Sequence, residues 1–194
     1  MPRTPHAAIV LAGRSSARLG GVDKAMVEFE GSTLLDRVLD AATDAEQIVA
    51  VGPPRPTGHP VTWCEERPVG GGPVAAVAAG LSAAAATEVV LLLASDLPFI
   101  EGAIGPLLDA LTPAADVAVL VDDTGRANYL ASAWRRGAVE TRLADLGDPA
   151  GLPMRRLLEG LTVVEVRDTG GWGFDCDTWE ALDLARHRGA ARHD

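Results

Sequence analysis

A basic loop with several glycines is the first stretch of the sequence whose residues are suited to chemistry. It spans residues 12–24, AGRSSARLGGVDK, and carries Arg14, Arg18 and Lys24. Glycine lets the backbone approach a ligand closely, and successive backbone N–H groups in such a loop can bind an anion. The loop is therefore a candidate cradle for a di- or triphosphate, with Arg18 and Lys24 as charged donors, or else a solvated surface turn. It contains neither the GxxxxGK[ST] phosphate-binding motif nor the GxGxxG dinucleotide fingerprint.

A carboxylate follows the most apolar stretch of the chain. Asp96 comes just after VVLLLA, residues 89–94, which predicts a buried strand near the centre of a sheet. A carboxylate at the end of such a strand can hold Mg²⁺, which in turn bridges phosphate oxygens. The alternative role is structural, because Ser95 or Asp96 could cap the helix that follows.

A second acidic segment, FDCDTWEAL at residues 174–182, precedes the last predicted helix. Asp177 and Glu180 form a D-x-x-E pattern that resembles a capping box. Asp175 has no such structural role. It is a candidate second carboxylate near a metal ion or a nucleotide.

A glycine-rich segment, GGGP at residues 70–73, precedes an alanine-rich helix. The N-terminus of a helix favours anions, and three consecutive glycines permit close approach of a ligand. Glu65 and Glu66 stand just before this segment. A carboxylate at this place could accept hydrogen bonds from a base or a ribose.

The elements that must position these residues alternate between strands and helices. Strands are predicted at 7–11, 47–52, 61–64, 89–94, 116–121, 129–134 and 161–166. Helices are predicted at 32–42 with Ser32 as its N-cap, 74–85, 103–111, 136–146, 153–159, and from Asp177 to about His187. This pattern predicts an α/β protein, a Rossmann-like three-layer αβα sandwich with a mostly parallel sheet. Ligands of such sheets bind at the carboxyl ends of the strands, which favours loops 12–24, 52–73 and 95–98. We expect a single domain over residues 1–194, with a core at 7–186 and a frayed tail at 189–194.

The bulk composition excludes some classes of function. The chain has 194 residues, a formal net charge of −10 at pH 7 and a pI of about 4.8. A general nucleic-acid-binding protein needs a basic face, so the net charge argues against that class, but it does not exclude a small phosphorylated ligand in a local basic loop. Cys64 and Cys176 lie far apart and form no CxxC pair, which argues against a cysteine zinc site and a disulfide framework. We expect two reduced thiols in a cytoplasmic protein.

One apolar stretch, residues 73–94, is long enough to cross a bilayer. Thr87 and Glu88 interrupt it, and its first half is mostly alanine. We therefore predict a helix followed by a buried strand, and no membrane contact. No secretory signal is evident at the N-terminus.

The order and spacing of these segments resemble the molybdenum cofactor guanylyltransferase family of nucleotidyltransferases. The opening signature of that family reads roughly LAGGxxxRMGxxDK, and it is matched in register by Leu11, Ala12, Gly13, Arg18, Gly20, Asp23 and Lys24. LLASDLPFI at 92–100 is similar to the PCDxP metal motif, and FDCDTWEAL is similar to an FxNxNTPEEL segment. Weaker likenesses are GGPVAAVAAGL at 71–81 and TGRANYLASAWRR at 124–136. The resemblance covers about residues 7–186.

The resemblance implies a nucleotidyl transfer in which a terminal phosphate of molybdopterin attacks the α-phosphorus of GTP and pyrophosphate leaves. Arg18 and Lys24 would be the catalytic charges, and Asp96 and Asp177 would hold Mg²⁺. Nucleotide contacts are implied at Leu11, Ala12, Gly13, Lys24, Gly52, Glu65 and Asp96, although the family more often has Asn and Asp at positions 52 and 65. The implied partners are GTP and molybdopterin, with transient contact to proteins that donate or accept the molybdenum cofactor.

The sequence departs from the family pattern at a few positions. Arg14 stands where the family has a second glycine, aspartates replace the usual asparagines at Asp175 and Asp177, and Trp179 replaces a proline. These departures leave two alternatives open. The chain could use CTP or another phosphorylated acceptor, such as a sugar phosphate, or it could be a nucleotide-binding relative that has lost turnover.

Overall fold

The computed structural model describes residues 4–13 and 21–190. In chain order the strands of this part are β1 (His6–Leu11), β2 (Glu28–Phe29), β3 (Ser32–Thr33), β4 (Gln47–Val51), β5 (Thr62–Cys64), β6 (Val89–Ala94), β7 (Val117–Val121), β8 (Ala127–Arg135) and β9 (Val163–Arg167). The helices are α1 (Leu34–Ala41), α2 (Pro73–Ala83), α3 (Glu101–Ala110), α4 (Arg136–Leu146), α5 (Met154–Leu158) and α6 (Trp179–Ala190). A 3₁₀ turn spans Lys24–Met26.

The main sheet has seven strands in the order β5-β4-β1-β6-β8-β7-β9. All neighbouring pairs are parallel except those of β8, which runs antiparallel to both β6 and β7. The predicted mostly parallel α/β sheet is thus confirmed. The chain has no pattern that would have predicted the reversed direction of β8, which also begins two residues earlier than the predicted strand.

Helices cover both faces of the sheet, as a three-layer sandwich requires. Successive side chains of a strand point to opposite faces. Leu91 and Leu93 of β6 therefore pack with α1 and α3 in one apolar cluster, and Val90 and Leu92 pack with α2, α4 and α5 in another. Because both faces are buried, β6 is apolar along its whole length.

The chain between β1 and α1 contains a short hairpin, which is the reason that Ser32 is not the N-cap of α1. Strands β2 and β3 pair antiparallel around Glu30 and Gly31, which both have positive φ. Ser32 lies in β3, and α1 begins after Thr33. The Thr33 Oγ1 accepts the Asp36 N–H at 3.0 Å and caps the helix.

Two other predictions about helix ends are wrong. Helix α6 begins at Trp179, and the Thr178 Oγ1 accepts the Ala181 N–H at 3.1 Å, so Thr178 rather than Asp177 caps it. Helix α6 ends at Ala190, beyond the predicted end near His187, and the expected frayed tail at 189–194 stays a prediction. Residues 191–194 lie outside the described residues.

The apolar stretch 73–94 folds as predicted, into α2 followed by β6. Within the ranges 4–13 and 21–190, no helix combines the length and apolar character needed to cross a bilayer. Both cysteines carry free thiols.

Candidate active site

The sheet brings the predicted loops to one edge. Leu11, the last residue of β1, pairs in parallel with Val51 on one side and with Ala94 on the other. The segments after these three strands therefore leave the sheet side by side. They carry Gly13, Gly52 and Asp96, in agreement with the expectation that the site lies at the carboxyl ends of the strands.

Lys24 lies between two carboxylates at this edge. Its Nζ forms ion pairs with Asp96 Oδ2 and with Asp177 Oδ1. The side chains of Lys24 and Asp96 are 15% and 12% exposed, whereas that of Asp177 is 44% exposed. Three residues from distant parts of the sequence, each predicted as a site residue, thus meet in one cluster. Asp96 contributes to this cluster and does not cap α3, whose N-cap position is Ile100.

The charge of Lys24 is maintained by its partners. Burial would lower the pKa of its ammonium group, but the negative charge of Asp96 and the hydrogen bonds to Asp177 and Asp96 outweigh burial and raise that pKa above its usual value. Lys24 is therefore a cation at all physiological pH values and a fixed positive charge in the site.

A small apolar cluster holds together the three segments that carry these side chains. Val27 follows the 3₁₀ turn of Lys24, Phe99 follows Asp96, and Cys176 precedes Asp177. Val27, Phe99 and Cys176 are all buried in one cluster with residues of β2, α1 and α6. The Cys176 N–H also donates to the Asp96 carbonyl oxygen at 3.2 Å. The geometry of the ionic cluster is thus fixed by packing directly beneath it.

Asp175 lies close enough to the cluster for its carboxyl group to interact with the charges of Asp177, Asp96 and Lys24, and its candidate role stays a prediction. Burial, followed by the charges of Asp177 and Asp96, raises the pKa of this carboxyl group. The thiol of Cys176 is buried in the same place, and burial together with Asp96 raises its pKa to about 12. The Cys176 thiol is therefore protonated and is not a nucleophile at neutral pH.

The donor set suits a divalent cation that arrives with a phosphorylated ligand. Among the described residues, no group of three or more His, Cys, Asp or Glu side chains is placed to hold a metal ion. Mg²⁺ is commonly bound by one or two carboxylates and takes its other ligands from water and phosphates. Asp96 and Asp177 supply two carboxylates, so they fit this mode of binding.

The first residues of the basic loop are tied into the sheet. The Leu11 carbonyl oxygen accepts the Ser95 N–H at 3.2 Å, and the Ala12 N–H donates to the Val51 carbonyl oxygen at 2.9 Å. The Leu11 carbonyl oxygen and the Ala12 N–H are therefore engaged by bonds within the sheet, and the nucleotide contacts expected at Leu11, Ala12 and Gly13 stay predictions.

Gly52 has a clear structural reason to be glycine. Its φ is +144°, and a Cβ on this residue would overlap the carbonyl oxygen of Ala12. Its N–H donates to the Cys64 carbonyl oxygen at 2.8 Å. Gly52 thus brings the segment after β4 into direct contact with the start of the basic loop.

Glu65 lies at a different part of the same edge. It is exposed, follows the last residue of β5, and lines an open groove of about 450 Å³ with residues of α2. Glu66 accepts the Gly70 N–H at 2.9 Å and so stabilises the turn before α2. Glu65 therefore remains a candidate contact for a base or ribose, while Glu66 serves the turn.

Arg55 is the residue that the sequence reasoning missed. Its side chain is only 5% exposed, and its guanidinium group donates to the carbonyl oxygens of Ala12 (2.7 Å) and Gly13 (2.6 Å) and to Asp23 Oδ2 (2.7 Å). The available signal was a single arginine in the proline-rich stretch 53–60, directly after a strand whose carboxyl end faces the site.

Arg18, predicted as a catalytic charge, lies outside the described residues, as do Arg14 and Gly20.

The chain matches a protein-family model described as a MobA-like NTP transferase domain over residues 8–166. The match includes Lys24 and Asp96 and ends before Asp177. A molybdenum cofactor guanylyltransferase of Acidiphilium cryptum (strain JF-5) is 35% identical over 142 residues, which cover 69% of this chain and 68% of that protein.

Solved structures share the fold at low sequence identity. A nucleotidyl transferase of Methanothermobacter superimposes with a TM-score of 0.77 at 17% identity. The superposition covers 98% of this chain and 99% of that protein. A Mycobacterium tuberculosis protein crystallised with manganese superimposes with a TM-score of 0.68 at 18% identity. The superposition covers 95% of this chain and 99% of that protein. These two likenesses concern the fold alone.

Proposed function

The chain belongs to the MobA-like NTP transferase family, and from this premise we propose that it is a molybdenum cofactor guanylyltransferase. A terminal phosphate oxygen of molybdopterin attacks the α-phosphorus of GTP. The bond between that phosphorus and the oxygen that bridges to the β-phosphate breaks, and pyrophosphate leaves. The product is a guanine dinucleotide form of the cofactor.

The observation that carries this proposal is the cluster of Lys24, Asp96 and Asp177 beside the start of the basic loop. Transfer of a nucleotidyl group requires orientation and charge neutralisation more than covalent help from the protein. Lys24 follows β1, Asp96 follows β6 and Asp177 precedes α6, and together they supply a fixed ammonium group and two carboxylates that meet these requirements.

Each residue of the cluster has a distinct task in the proposed reaction. Asp96 and Asp177 would hold Mg²⁺, which supplies neutralisation of phosphate charge when bound. Lys24 donates hydrogen bonds to phosphate oxygens and stabilises charge that develops on the leaving pyrophosphate. Backbone N–H groups from Gly13 onward orient the triphosphate, with Arg18 as a second cation.

A nucleotide panel tests the proposal. Pyrophosphate release is measured with GTP, CTP and ATP in the presence of molybdopterin and Mg²⁺, and each nucleotide is also measured for binding. We expect release with GTP well above that with the other two. Release with CTP alone would assign the chain to a cytidylyl transfer, and binding of a nucleotide without any release would identify a non-catalytic relative. Either result would overturn the proposal.

A further inference from the structure

We propose that Arg55 is a positioning residue that joins the two ends of the basic loop and thereby places Lys24 in the nucleotide site. The proposal rests on the proposed function, because it assigns Arg55 a task in binding and transfer of the same nucleotide. Arg55 acts through the loop and through Asp23 and does not itself touch the substrate.

The geometry around the guanidinium group carries the proposal. Two of its nitrogens bond the beginning of the loop. Nη1 donates to the Ala12 carbonyl oxygen at 2.7 Å, and Nη2 donates to the Gly13 carbonyl oxygen at 2.6 Å. The third nitrogen, Nε, donates to Asp23 Oδ2 at 2.7 Å, at the end of the loop. A single side chain outside the loop thus bonds residues at both of its ends.

Burial makes these bonds strong and selective. The Arg55 side chain is 5% exposed, and a buried charge is costly unless it is paired and hydrogen-bonded. Here Asp23 supplies the opposite charge and the carbonyl oxygens supply the remaining acceptors. The planar guanidinium fork presents several donors in fixed directions, which the single ammonium group of lysine cannot reproduce.

Asp23 transmits this constraint to Lys24. The Asp23 carboxylate is held by Arg55, and its carbonyl oxygen accepts the Met26 N–H at 3.0 Å. Lys24, the next residue, starts the 3₁₀ turn and extends its ammonium group to Asp96 and Asp177. The direction in which the Lys24 side chain leaves the backbone is therefore set by two contacts of Asp23, one through its carboxylate and one through its carbonyl oxygen.

The segment after β4 is built to present Arg55. Gly52 contacts the Ala12 carbonyl oxygen so closely that it has no space for a side chain. The Pro53 carbonyl oxygen accepts a further hydrogen bond from Arg55 Nη1 at 3.1 Å. The glycine and the arginine of this segment therefore support the same contact with the basic loop.

The test compares Arg55→Lys and Arg55→Met with matched changes at Arg135. Arg135 also donates to several carbonyl oxygens, at Ala115, Leu111 and Thr112, but lies at the opposite end of β6, where it pairs with Glu88. Steady-state rates give kcat and KM for GTP, equilibrium titration gives the Kd of the Mg²⁺–GTP complex, and thermal unfolding gives Tm for each variant.

We expect both Arg55 variants to lose about 100-fold in kcat/KM for GTP, with much of the loss in kcat, because small misplacements of reacting groups have effects of this size. The Arg135 variants should lose stability and retain kcat/KM at temperatures where they are folded. Added methylguanidine, at concentrations far below those that denature, should restore part of the activity of Arg55→Met. Wild-type kcat and KM in Arg55→Lys, or an equal loss in the Arg135 variants, would overturn the proposal.

A milder variant keeps the proposal testable if the Arg55 variants do not fold. Asp23→Asn weakens the Arg55 contact at a side chain that is 39% exposed, so the fold should persist. We expect it to lower kcat/KM for GTP in the same direction, and the double variant with Arg55→Lys to lose less than the product of the two single losses. Independent effects of the two changes would contradict a shared constraint.

A readout without nucleotide separates this proposal from the proposed function. Hydrogen exchange of the Ala12 and Met26 amides, at the two ends of the loop, should be faster in Arg55→Met than in the wild type or in Arg135→Met, because Ala12 and Asp23 lose their bonds to the guanidinium group. If the wild type transfers no nucleotide, the proposed function fails, while faster exchange would still support the role of Arg55. Equal exchange rates would refute it, whatever the wild type transfers.

Discussion

Lys24 forms ion pairs with Asp96 and Asp177, the two carboxylates that the proposed function assigns to Mg²⁺. In that function, a metal–nucleotide complex would displace the ammonium group from the carboxylates and would offer its own phosphates to it. We therefore expect Lys24 to compete with the metal ion alone and to cooperate with the metal–nucleotide complex.

Lys24→Met tests this double role. Removal of the charge should lower the transfer rate by about 100-fold or more, since loss of one stabilising donor commonly costs a reaction about 3–4 kcal/mol of transition-state stabilisation. In the absence of nucleotide the same variant should bind Mn²⁺ more tightly than the wild type, because the two carboxylates lose their internal cation. Electron paramagnetic resonance measures the free Mn²⁺. An unchanged or weaker affinity would mean that Lys24 does not compete for the metal site.

Sequence reasoning predicted Lys24, Asp96 and Asp177, which the structure brings together, and missed Arg55, to which we assign a positioning role. Lys24, Asp96 and Asp177 could be predicted because each follows or precedes a recognisable strand or helix. Arg55 could not, because two of its partners are backbone carbonyl oxygens more than 40 positions away. Such contacts leave no spacing pattern, and any residue type could supply the acceptor.

At the scale of elements, the loop between β9 and α6 determines where Asp175 and Asp177 lie. The Asp168 carboxylate accepts backbone N–H bonds from Gly170, Trp172 and Gly173 at 3.1, 2.8 and 2.9 Å. The Trp172 ring packs so closely against Gly102 and Gly170 that neither position has space for a Cβ. This loop therefore connects the acidic segment rigidly to α3.

Asp168→Ala should loosen that connection. Loss of the acceptor leaves backbone donors without their partner, and we expect a fall of about 1–3 kcal/mol in the free energy of unfolding. Urea denaturation, followed by the fluorescence of the tryptophans, measures it. The exposed Asp123 in the turn between β7 and β8 provides the control, and Asp123→Ala should change stability much less. Equal effects of the two substitutions would show that the hydrogen bonds of Asp168 contribute no more to the free energy of unfolding than an exposed aspartate does.

The contact of α2 with the sheet gives a second prediction at this scale. A Cβ on Gly80 would overlap Ile9 Cγ2 and lie 2.9 Å from Val51 Cγ2. Gly80→Ala should therefore lower the free energy of unfolding by about 1–3 kcal/mol, although alanine favours helices by about 1 kcal/mol over glycine. Gly137→Ala in α4, where a Cβ meets nothing within 4 Å, should be neutral or stabilising. Thermal and urea unfolding of the two variants show whether packing or helix propensity dominates the stability at position 80.

At the scale of the whole molecule, the sequence predicts the layers better than the direction of the strands. Apolar runs and helical periodicity report burial, and burial is what defines a three-layer sandwich. Residues 131–134 of strand β8 are buried on both faces, as in β6 and β7, so their composition does not distinguish a parallel from an antiparallel strand. The hairpin of β2 and β3 has only two residues in each strand, too few for an alternating pattern.

The stability of the whole chain should respond to pH through Asp175. The pKa of this carboxyl group is higher in the folded protein than in the unfolded chain, chiefly because of burial and secondly because of Asp177 and Asp96. The charged form therefore destabilises the folded state above the folded pKa, and this penalty disappears as the pH falls towards the unfolded pKa. Asp175→Asn should raise Tm at pH 7 in EDTA, and its advantage over the wild type should shrink as the solution is acidified. A lower Tm at pH 7 would contradict this account.

The bonds of Arg55 have a consequence for how this protein can change over evolutionary time. The free energy needed to close a loop depends only weakly on its length once its ends are fixed, about 0.6 kcal/mol for each doubling. Because Arg55 joins the Gly13 and Asp23 ends, we expect the stability of the fold to depend little on the identity of the residues between them. Substitutions in that segment, such as arginine for the family glycine at position 14, should then leave the sheet intact. The substrate specificity of such a protein can change while its fold stays the same. Loops taken from relatives and exchanged between Gly13 and Asp23 should therefore fold on this chain.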